Sequence, residues 1–312
     1  MKIILSRKGF DSENGGYPSP ILPNGTLLSI PIPSAYNNKG YKPIQYKHVR
    51  IPKATKDYFN KNNVQIETYR DLLSHLLYDY PILYKKKWYS IDSPIYCHVD
   101  PDLIKDVLER DNSQNWCPAF GQNKAAQGHL NNQDVEPGNL FLYFGWFRHT
   151  VIINGRLCYN GSEPDKHLIF GYLEIEYYLN EEEEIKNKLW LNAHPHSFGH
   201  LLTSTNNTIY IAKSLLSWNS KYAGAGIFNY SEDLVLTETD PKINPRRNLS
   251  LWRYNFIPLG TKVTYHEDKS WVKEKNYFRA VGKGQEFVIK DSPEFEKRIK
   301  NLNFKLKNQN LK

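Results

Sequence analysis

No run in this sequence approaches the roughly eighteen consecutive apolar residues that a membrane-spanning helix requires, so a helical membrane protein is not expected. The opening, Met1-Lys2-Ile3-Ile4-Leu5-Ser6-Arg7-Lys8, has too short an apolar stretch for a secretory signal, and the expected place is the cytoplasm. Cysteine is scarce. Cys97, Cys117 and Cys158 are odd in number and widely spaced, with no Cys-x-x-Cys pair, which argues against a disulfide scaffold, a zinc ribbon or a redox centre and for reduced thiols. Internal repeats and low-complexity linkers are also lacking. One domain over residues 1–312 is therefore expected, with a possible subdivision into an α/β part (1–130), a β-rich part (131–290) and a basic helical tail (291–312).

What is present is a chain able to fold around a large core: 312 residues, 40% hydrophobic and 14% aromatic, which excludes a disordered protein. The net charge is +8, from 41 Lys and Arg against 33 Asp and Glu, and the excess is uneven. Residues 297–312 carry Lys297, Arg298, Lys300, Lys305, Lys307 and Lys312 without an acid. A second stretch, Lys39, Lys42, Lys47, Arg50, Lys53 and Lys56, is interleaved with Tyr36, Tyr41 and Tyr46, a mixture that can neutralise phosphates while stacking on bases. A solvated face in a Lys-rich composition explains both stretches equally well.

Short β-prone runs are expected at Lys2–Leu5 and, after a turn-rich segment through Gly15, Gly16, Pro18, Pro20, Pro23 and Gly25, at Leu27–Ile32. Ile66, Tyr69, Leu73, Leu76 and Leu77 recur at helical spacing. Asp100-Pro101 followed by Leu103, Ile104, Val107 and Leu108 reads as an N-cap, a first-turn proline and an amphipathic helix. From Leu140 the chain turns to strands, at Leu140–Phe147, Leu168–Tyr178, Thr208–Ala212 and Leu234–Thr237, and Ser292-Pro293-Glu294 opens a last helix. The fold class expected is α+β, with a largely antiparallel, partly barrelled β core and peripheral helices.

Two groups of residues could carry chemistry. The turn Ser6-Arg7-Lys8-Gly9 offers a hydroxyl, two cations and a permissive backbone, which suit a phosphate, although it has neither Walker nor dinucleotide glycine spacing. A structural Arg7–Asp11 ion pair is the alternative. The second group is His98, Asp100, Gln122 and His129. Histidine with carboxylate can do general acid–base work, and Gln122 can read a base edge or orient a water. Helix capping by Asp100 and a partly buried His129 account for the same residues without function. Neither Cys97-His98-x-Asp100 with Cys117 nor His194-x-His196-x-x-x-His200 has the spacing of a recognised zinc site, so no metal is expected, and no cofactor is indicated. Of the aromatics from Trp116 to Phe147, any could stack on a flipped base, but most are expected in the core, and Arg148 at the end of that strand is the better substrate contact. Gly224-Ala-Gly226 is too short for a phosphate loop, and Glu181–Glu184 reads as a solvated helix start.

The turn Val135-Glu136-Pro137-Gly138-Asn139 feeding an apolar strand, with the strand His167–Glu176 after it, resembles the small β-barrels of the PUA, ASCH and EVE type, which implies binding of RNA or modified bases. A wider set of segments resembles the family named nucleotide modification associated domain 3. These are Lys2-Ile-Ile-Leu-Ser-Arg-Lys-Gly-Phe-Asp-Ser, Gly15-Gly16, Pro18-Ser-Pro-Ile, Leu28-Ser-Ile-Pro-Ile-Pro33, His98-Val-Asp-Pro-Asp-Leu, Phe120-Gly-Gln, His129-Leu, Gly138 through Arg148, Gly171-Tyr, Gly224-Ala-Gly-Ile-Phe and Gln285-Glu-Phe. That resemblance implies a role in bacterial or phage systems that modify nucleotides or DNA bases, with nucleotide or nucleic acid as partner, no membrane, and neighbouring modification enzymes. Asn24 and Asn139 stand where an acid is expected, and both fit turn positions. An enzyme acting on a base or nucleotide and a non-catalytic reader of modified bases both remain open. A nuclease would need a carboxylate-rich metal site that the sequence does not display.

Overall fold

The computed structural model describes residues 1–34, 44–93, 95–110, 113–253, 256–272, 274, 277–282, 284, 286–290 and 292–301. Its centre is one large sheet built from β1 (Ile3–Arg7), β2 (Ser19–Ile21), β3 (Ala119–Gln122), β4 (Leu140–Ile153), β5 (Arg156–Tyr159), β6 (Lys166–Leu179), β7 (Thr208–Ala212), β8 (Ala225–Ile227), β9 (Lys262–Val263) and β10 (Glu286–Lys290). The main path runs β9-β10-β1-β4-β6-β7-β3, while β2 and β5 pair with β4 and β8 pairs with β6. Only β1–β4 and β2–β4 are parallel; the other pairings are antiparallel.

The burial of β4 explains its composition. Its first half, Leu140-Phe-Leu-Tyr-Phe-Gly145, is buried at every position, so both faces of the sheet are covered there and the strand reads as a continuous apolar run rather than an alternating one. On one face Phe144 packs edge-on against Trp252 at 5.2 Å, beside Phe287. On the other, Phe120, Phe141, Tyr143 and Tyr210 form a buried aromatic cluster, with Phe120 and Phe141 at 4.8 Å. The helix Lys124–Asn132 lies over this second face, where Gln127 Nε2 donates to Tyr210 Oη at 2.8 Å.

The sheet is strongly curled. Gln122 on β3 donates to Glu286 on β10 at 2.7 Å although several strands separate them along the sheet. β6 carries a bulge between Ile169 and Gly171, a feature that bends a strand and increases its twist, and a Cβ on Gly171 would stand 2.9 Å from Leu103 and 3.0 Å from the Gly226 carbonyl. The curl makes a trough whose end strands, β9 and β3, are not paired with each other among the described residues, so the sheet does not close into a barrel. The α+β class and the largely antiparallel β core hold; the sheet is curled but forms no closed barrel among the described residues, so the likeness to PUA, ASCH and EVE barrels is not confirmed.

Several local expectations also change. Leu103–Leu108 is not an amphipathic helix but an extended segment with one short turn at Lys105–Val107, because the Asp100 carboxylate caps no helix and accepts from the Gly121 N–H at 2.9 Å. Thr26 and Leu27 make isolated bridges rather than opening a strand, and a strand occurs only at Ile32–Ser34. Leu234–Thr237 becomes a short turn with isolated bridges. The helix Tyr69–Leu77 forms as its spacing predicts, closed at its start by a capping box between Thr68 and Asp71. Pro293–Asn301 is helical, with Glu294 and Glu296 in its first turn.

Candidate functional site

Strand pairing brings the first group of polar residues together. Ser6 on β1 stands opposite Glu286 of β10 on one side and Tyr143 of β4 on the other. Directly paired residues project to the same face, so the three side chains enter the trough in one row. All three are buried, and Ser6 Oγ, Tyr143 Oη and Glu286 Oε2 find no partner among the described residues. Lys8 reaches the same face, its Nζ 3.1 Å from Glu286 Oε1 and 4.4 Å from the centre of the Phe120 ring. Glu286 is thus a carboxylate held by one cation and one amide, with its second oxygen turned away from both.

A second cluster adjoins the first through the dipeptide Gly121-Gln122. Gln122 holds Glu286, while the Gly121 N–H holds Asp100. Three imidazoles surround Asp100. His98 Nε2 is 3.7 Å from Oδ2, and His194 Nε2 is 3.2 Å from Oδ1, close enough for attraction although the ring is not aligned for a linear hydrogen bond. The His196 ring lies 5.5 Å from that of His98 and 5.8 Å from that of His194. Gly121 is required here, because a Cβ on it would come within 2.4 Å of the His196 ring and 2.9 Å of His194. Tyr143 joins the two clusters: burial raises its phenol well above the ordinary value, and the charges of Asp100 and Glu286 raise it further.

The hydrogen bonds fix the tautomers. His194 Nδ1 accepts from the His196 backbone N–H at 3.2 Å, which puts the ring proton on Nε2, toward Asp100. Asn207 Nδ2 donates to the His196 carbonyl at 3.0 Å, so its Oδ1, 2.7 Å from His196 Nδ1, accepts from that nitrogen. His196 Nε2 then carries a lone pair. Burial depresses His196 to about 3, only partly offset by Asp100, and keeps the ring neutral. Burial alone would raise the Asp100 carboxyl, but His194 and His98 outweigh it and hold the group below the usual carboxylate range. The arrangement offers a fixed carboxylate anion and a neutral imidazole side by side, the pair of states that general acid–base chemistry or metal binding uses.

A small cavity reaches Asp100 and a larger cleft lies near the cluster. A cavity of about 50 Å³ is lined by Gly9, Ser29, Asp100, Leu103, Phe170 and Ile227. A cleft of about 1250 Å³ lies against the same backbone, its wall including Tyr96, two residues before His98, and Ala193, next to His194. Lys47, Arg50, Lys53 and Lys56 line it, with Glu67, Asp106 and Glu109 as counter-charges. Lys56 pairs with Glu67 at 2.6 Å and Arg50 with Glu109 at 3.6 Å, pairs exposed enough to be exchanged for a polyanion. The second basic stretch of the sequence therefore meets a cleft. Tyr46 is buried and cannot stack on a base from there, and Tyr36, Lys39, Tyr41 and Lys42 lie outside the described residues.

Of the residues the sequence singled out, the structure gathers Ser6, Lys8, His98, Asp100 and Gln122. His129 stands at the margin: its Nε2 is 3.1 Å from Thr264 Oγ1 and its ring lies tilted against that of Tyr265 at 4.5 Å, while burial lowers its pKa against the opposing influence of Glu286. Arg7, Asp11 and Arg148 are elsewhere. Strand alternation sends Arg7 to the opposite face, where its guanidinium donates to the Val281 and Gly282 carbonyls at 3.2 and 3.1 Å over the Phe144 ring. Asp11 caps its own turn through the Glu13 and Asn14 N–H groups, at 2.8 and 2.6 Å, rather than pairing with Arg7. Arg148 grips Asp165 with both arms of its fork. In the basic tail Lys300 pairs with Glu296 and Arg298 covers Phe256, while 302–312 lies outside the described residues. Asn24 serves its turn by accepting from the Thr26 N–H; Asn139 closes a turn with its backbone N–H on the Glu136 carbonyl, while its side chain accepts from the distant Lys2 N–H at the start of β1.

Sequence reasoning missed Glu286, Tyr143 and Asn207, and weighed His194 and His196 only as members of a separate metal run. One signal existed for Glu286: it is an acid at the head of the otherwise apolar run Phe287-Val-Ile. Comparison with known proteins adds one finding. The family model described as nucleotide modification associated domain 3 matches residues 2–290. No curated protein and no solved structure matches.

Proposed function

The chain belongs to the nucleotide modification associated domain 3 family, and from that premise we propose that it is an enzyme acting on a base, nucleotide or nucleic acid in a bacterial or phage modification system. The observation that carries the catalytic half of this reading is the convergence of Asp100, three imidazoles and the Gln122–Glu286–Lys8 group around one dipeptide. Buried ionised groups held against their desolvation cost, with polar atoms left without protein partners, are what a reaction centre requires and what a stability-optimised core avoids.

In this reading the substrate's phosphates lie along the cleft of Lys47, Arg50, Lys53 and Lys56, and the reacting group approaches the Asp100 cluster. The Asp100 cluster activates the reacting group, Gln122 and Glu286 orient the polar edge of the substrate, and Lys8 steadies Glu286 as charge shifts. The cavity beside Asp100, at about 50 Å³, is far below the roughly 300 Å³ of an ordinary ligand pocket, so the bulk of a nucleotide belongs in the cleft.

A reader of modified bases would instead present an aromatic cage away from titratable groups. Here Phe120, Phe141, Tyr143 and Tyr210 are buried in the core, and Tyr143 stands between two carboxylates. The deciding experiment is mass spectrometry of nucleosides, from DNA and from the free pool, in cells expressing the chain alone and with its neighbouring gene products. An enzyme leaves a nucleoside of altered mass. An unchanged set in both conditions, together with tight binding of modified DNA by the purified protein, would establish the reader instead.

A further inference from the structure

The two histidine-bearing runs, each unconvincing as a metal site alone, meet in the fold. One ligand atom from each of His98, Asp100 and His196 lies within 4.8 Å of the others. We propose that these three side chains bind one divalent first-row transition-metal ion, leaving its remaining coordination positions to solvent or substrate. This deepens the reading of the Asp100 cluster as the chemical centre and rests on it for what the metal would serve, not for whether the metal binds.

Three features of the cluster support the inference beyond proximity. First, the ligands are of one chemical kind, two imidazoles and a carboxylate, a donor set that suits zinc, iron, manganese or cobalt and holds no thiolate. Cys97, next to His98 in sequence, is buried and directs its Sγ at the Ile44 carbonyl. Second, the atoms that would not face a metal are already occupied. Asn207 takes His196 Nδ1, while the Gly121 N–H takes Asp100 Oδ1, with His194 Nε2 3.2 Å from the same oxygen. That leaves His196 Nε2 and Asp100 Oδ2, the oxygen nearer His98. Partners of this kind, which fix ring orientation and carboxylate direction, are the usual outer support of a metal site.

Third, one of the three spans already matches a shared ion, and the others, at no more than 4.8 Å, require side-chain adjustment of up to about 1.4 Å. With metal–ligand bonds of about 2.1 Å, two ligand atoms at a tetrahedral angle stand about 3.4 Å apart. The His98 Nε2 to Asp100 Oδ2 distance is 3.7 Å, too long for a hydrogen bond between them and close to the span a shared ion imposes. Gly121 gives the His196 and His194 rings the room to sit beside the carboxylate, since any Cβ there would meet them. Three protein ligands rather than four correspond to a reactive site and not to a structural one.

The test uses the full chain, stripped of metal by a chelator and then titrated with Co²⁺, whose visible absorption reports coordination, with Zn²⁺ and Mn²⁺ content measured by plasma mass spectrometry. The expected result is one equivalent bound by the wild type and none retained by Asp100→Asn or His196→Gln. Asn207→Ala, which removes only the support of His196, should bind roughly 10–100-fold more weakly. Cys97→Ala should bind as the wild type does. Thermal melts establish that each variant is folded, and the wild-type stoichiometry decides the question even where a variant is not. Less than a tenth of an equivalent on folded wild-type protein overturns the proposal, as does full binding by His196→Gln. Metal binding without any altered nucleoside would count against the proposed enzyme alone, and an altered nucleoside from metal-free protein would count against the metal alone.

Discussion

Removing the buried hydroxyls of Tyr143 and Ser6 is expected to stabilise the fold and to impair function. Both residues are fully buried, and neither hydroxyl has a partner among the described residues. A buried, unpaired polar group costs about 1–3 kcal/mol, and replacing it by an apolar group of the same shape recovers part of that. Tyr143→Phe keeps the ring, so the contacts to Phe120 at 5.4 Å and Phe141 at 6.1 Å persist and no cavity forms. A gain on the order of 1 kcal/mol is expected for Tyr143→Phe, and a smaller one for Ser6→Ala. In a chain of this size that gain moves the melting temperature by only about 2 °C, so urea denaturation with a shared slope is the better assay. The two positions are strand neighbours, and the double variant should show coupling rather than simple addition. Activity in the nucleoside assay should fall in each. If either variant loses more than about 1 kcal/mol, its hydroxyl is satisfied in the folded protein, and the row belongs to the structure rather than to the site.

Three further outcomes are expected. Lys8→Met leaves the buried Glu286 without its cation and should cost about 3–5 kcal/mol, whereas adding Glu286→Gln should recover much of that loss; a cost below about 1 kcal/mol in the single variant, measured by denaturation, would show that the pair is solvated. Gly121→Ala forces a Cβ to within 2.4 Å of the His196 ring and should destabilise by about 1–3 kcal/mol while disordering the Asp100 cluster, which the His196 and His194 ring resonances would report; unchanged resonances and stability would contradict the packing. His167, depressed to about 3 mainly by burial and also by Arg7, stays neutral in the fold while the unfolded chain protonates it near 6.5, so it contributes stability that is lost as pH falls through that window at up to about 1.4 kcal/mol per unit. His167→Gln should flatten the stability profile between about pH 4 and pH 6 by that slope, and an unchanged slope would remove His167 as the cause.

The fold and the site differ in how far the sequence exposed them. Strands announced themselves where burial on both faces demands a continuous apolar run: Leu140–Phe147 lies within the longer strand Leu140–Ile153, and Thr208–Ala212 is a strand over the same residues. Local signals misled where tertiary contacts outrank propensity. Asp100-Pro101 has the pattern of a helix start, yet the carboxylate is drawn to Gly121 from a strand well along the chain, and the helix does not form. The site was half legible for the same reason. His98, Asp100 and Gln122 were visible as residue types suited to acid–base work, but their meeting with His196 and Glu286 is set by the pairing of β3 with β7 and the curl that brings β3 to β10. No spacing along the chain records that curl. Arg7 and Lys8 looked equivalent as cations; strand alternation sends one into the trough and the other to the opposite face.

The central claim, that the Asp100 cluster is where a nucleotide or base is altered, is tested most directly by repeating the nucleoside mass spectrometry with Asp100→Asn, a change that keeps the shape of the side chain but removes its charge. Arg70→Ala, which breaks an exposed ion pair with Asp92, serves as the control. The account expects the altered nucleoside to appear with the wild type and the control and to vanish with Asp100→Asn at equal levels of folded protein. An undiminished yield of the altered nucleoside from folded Asp100→Asn protein would contradict it.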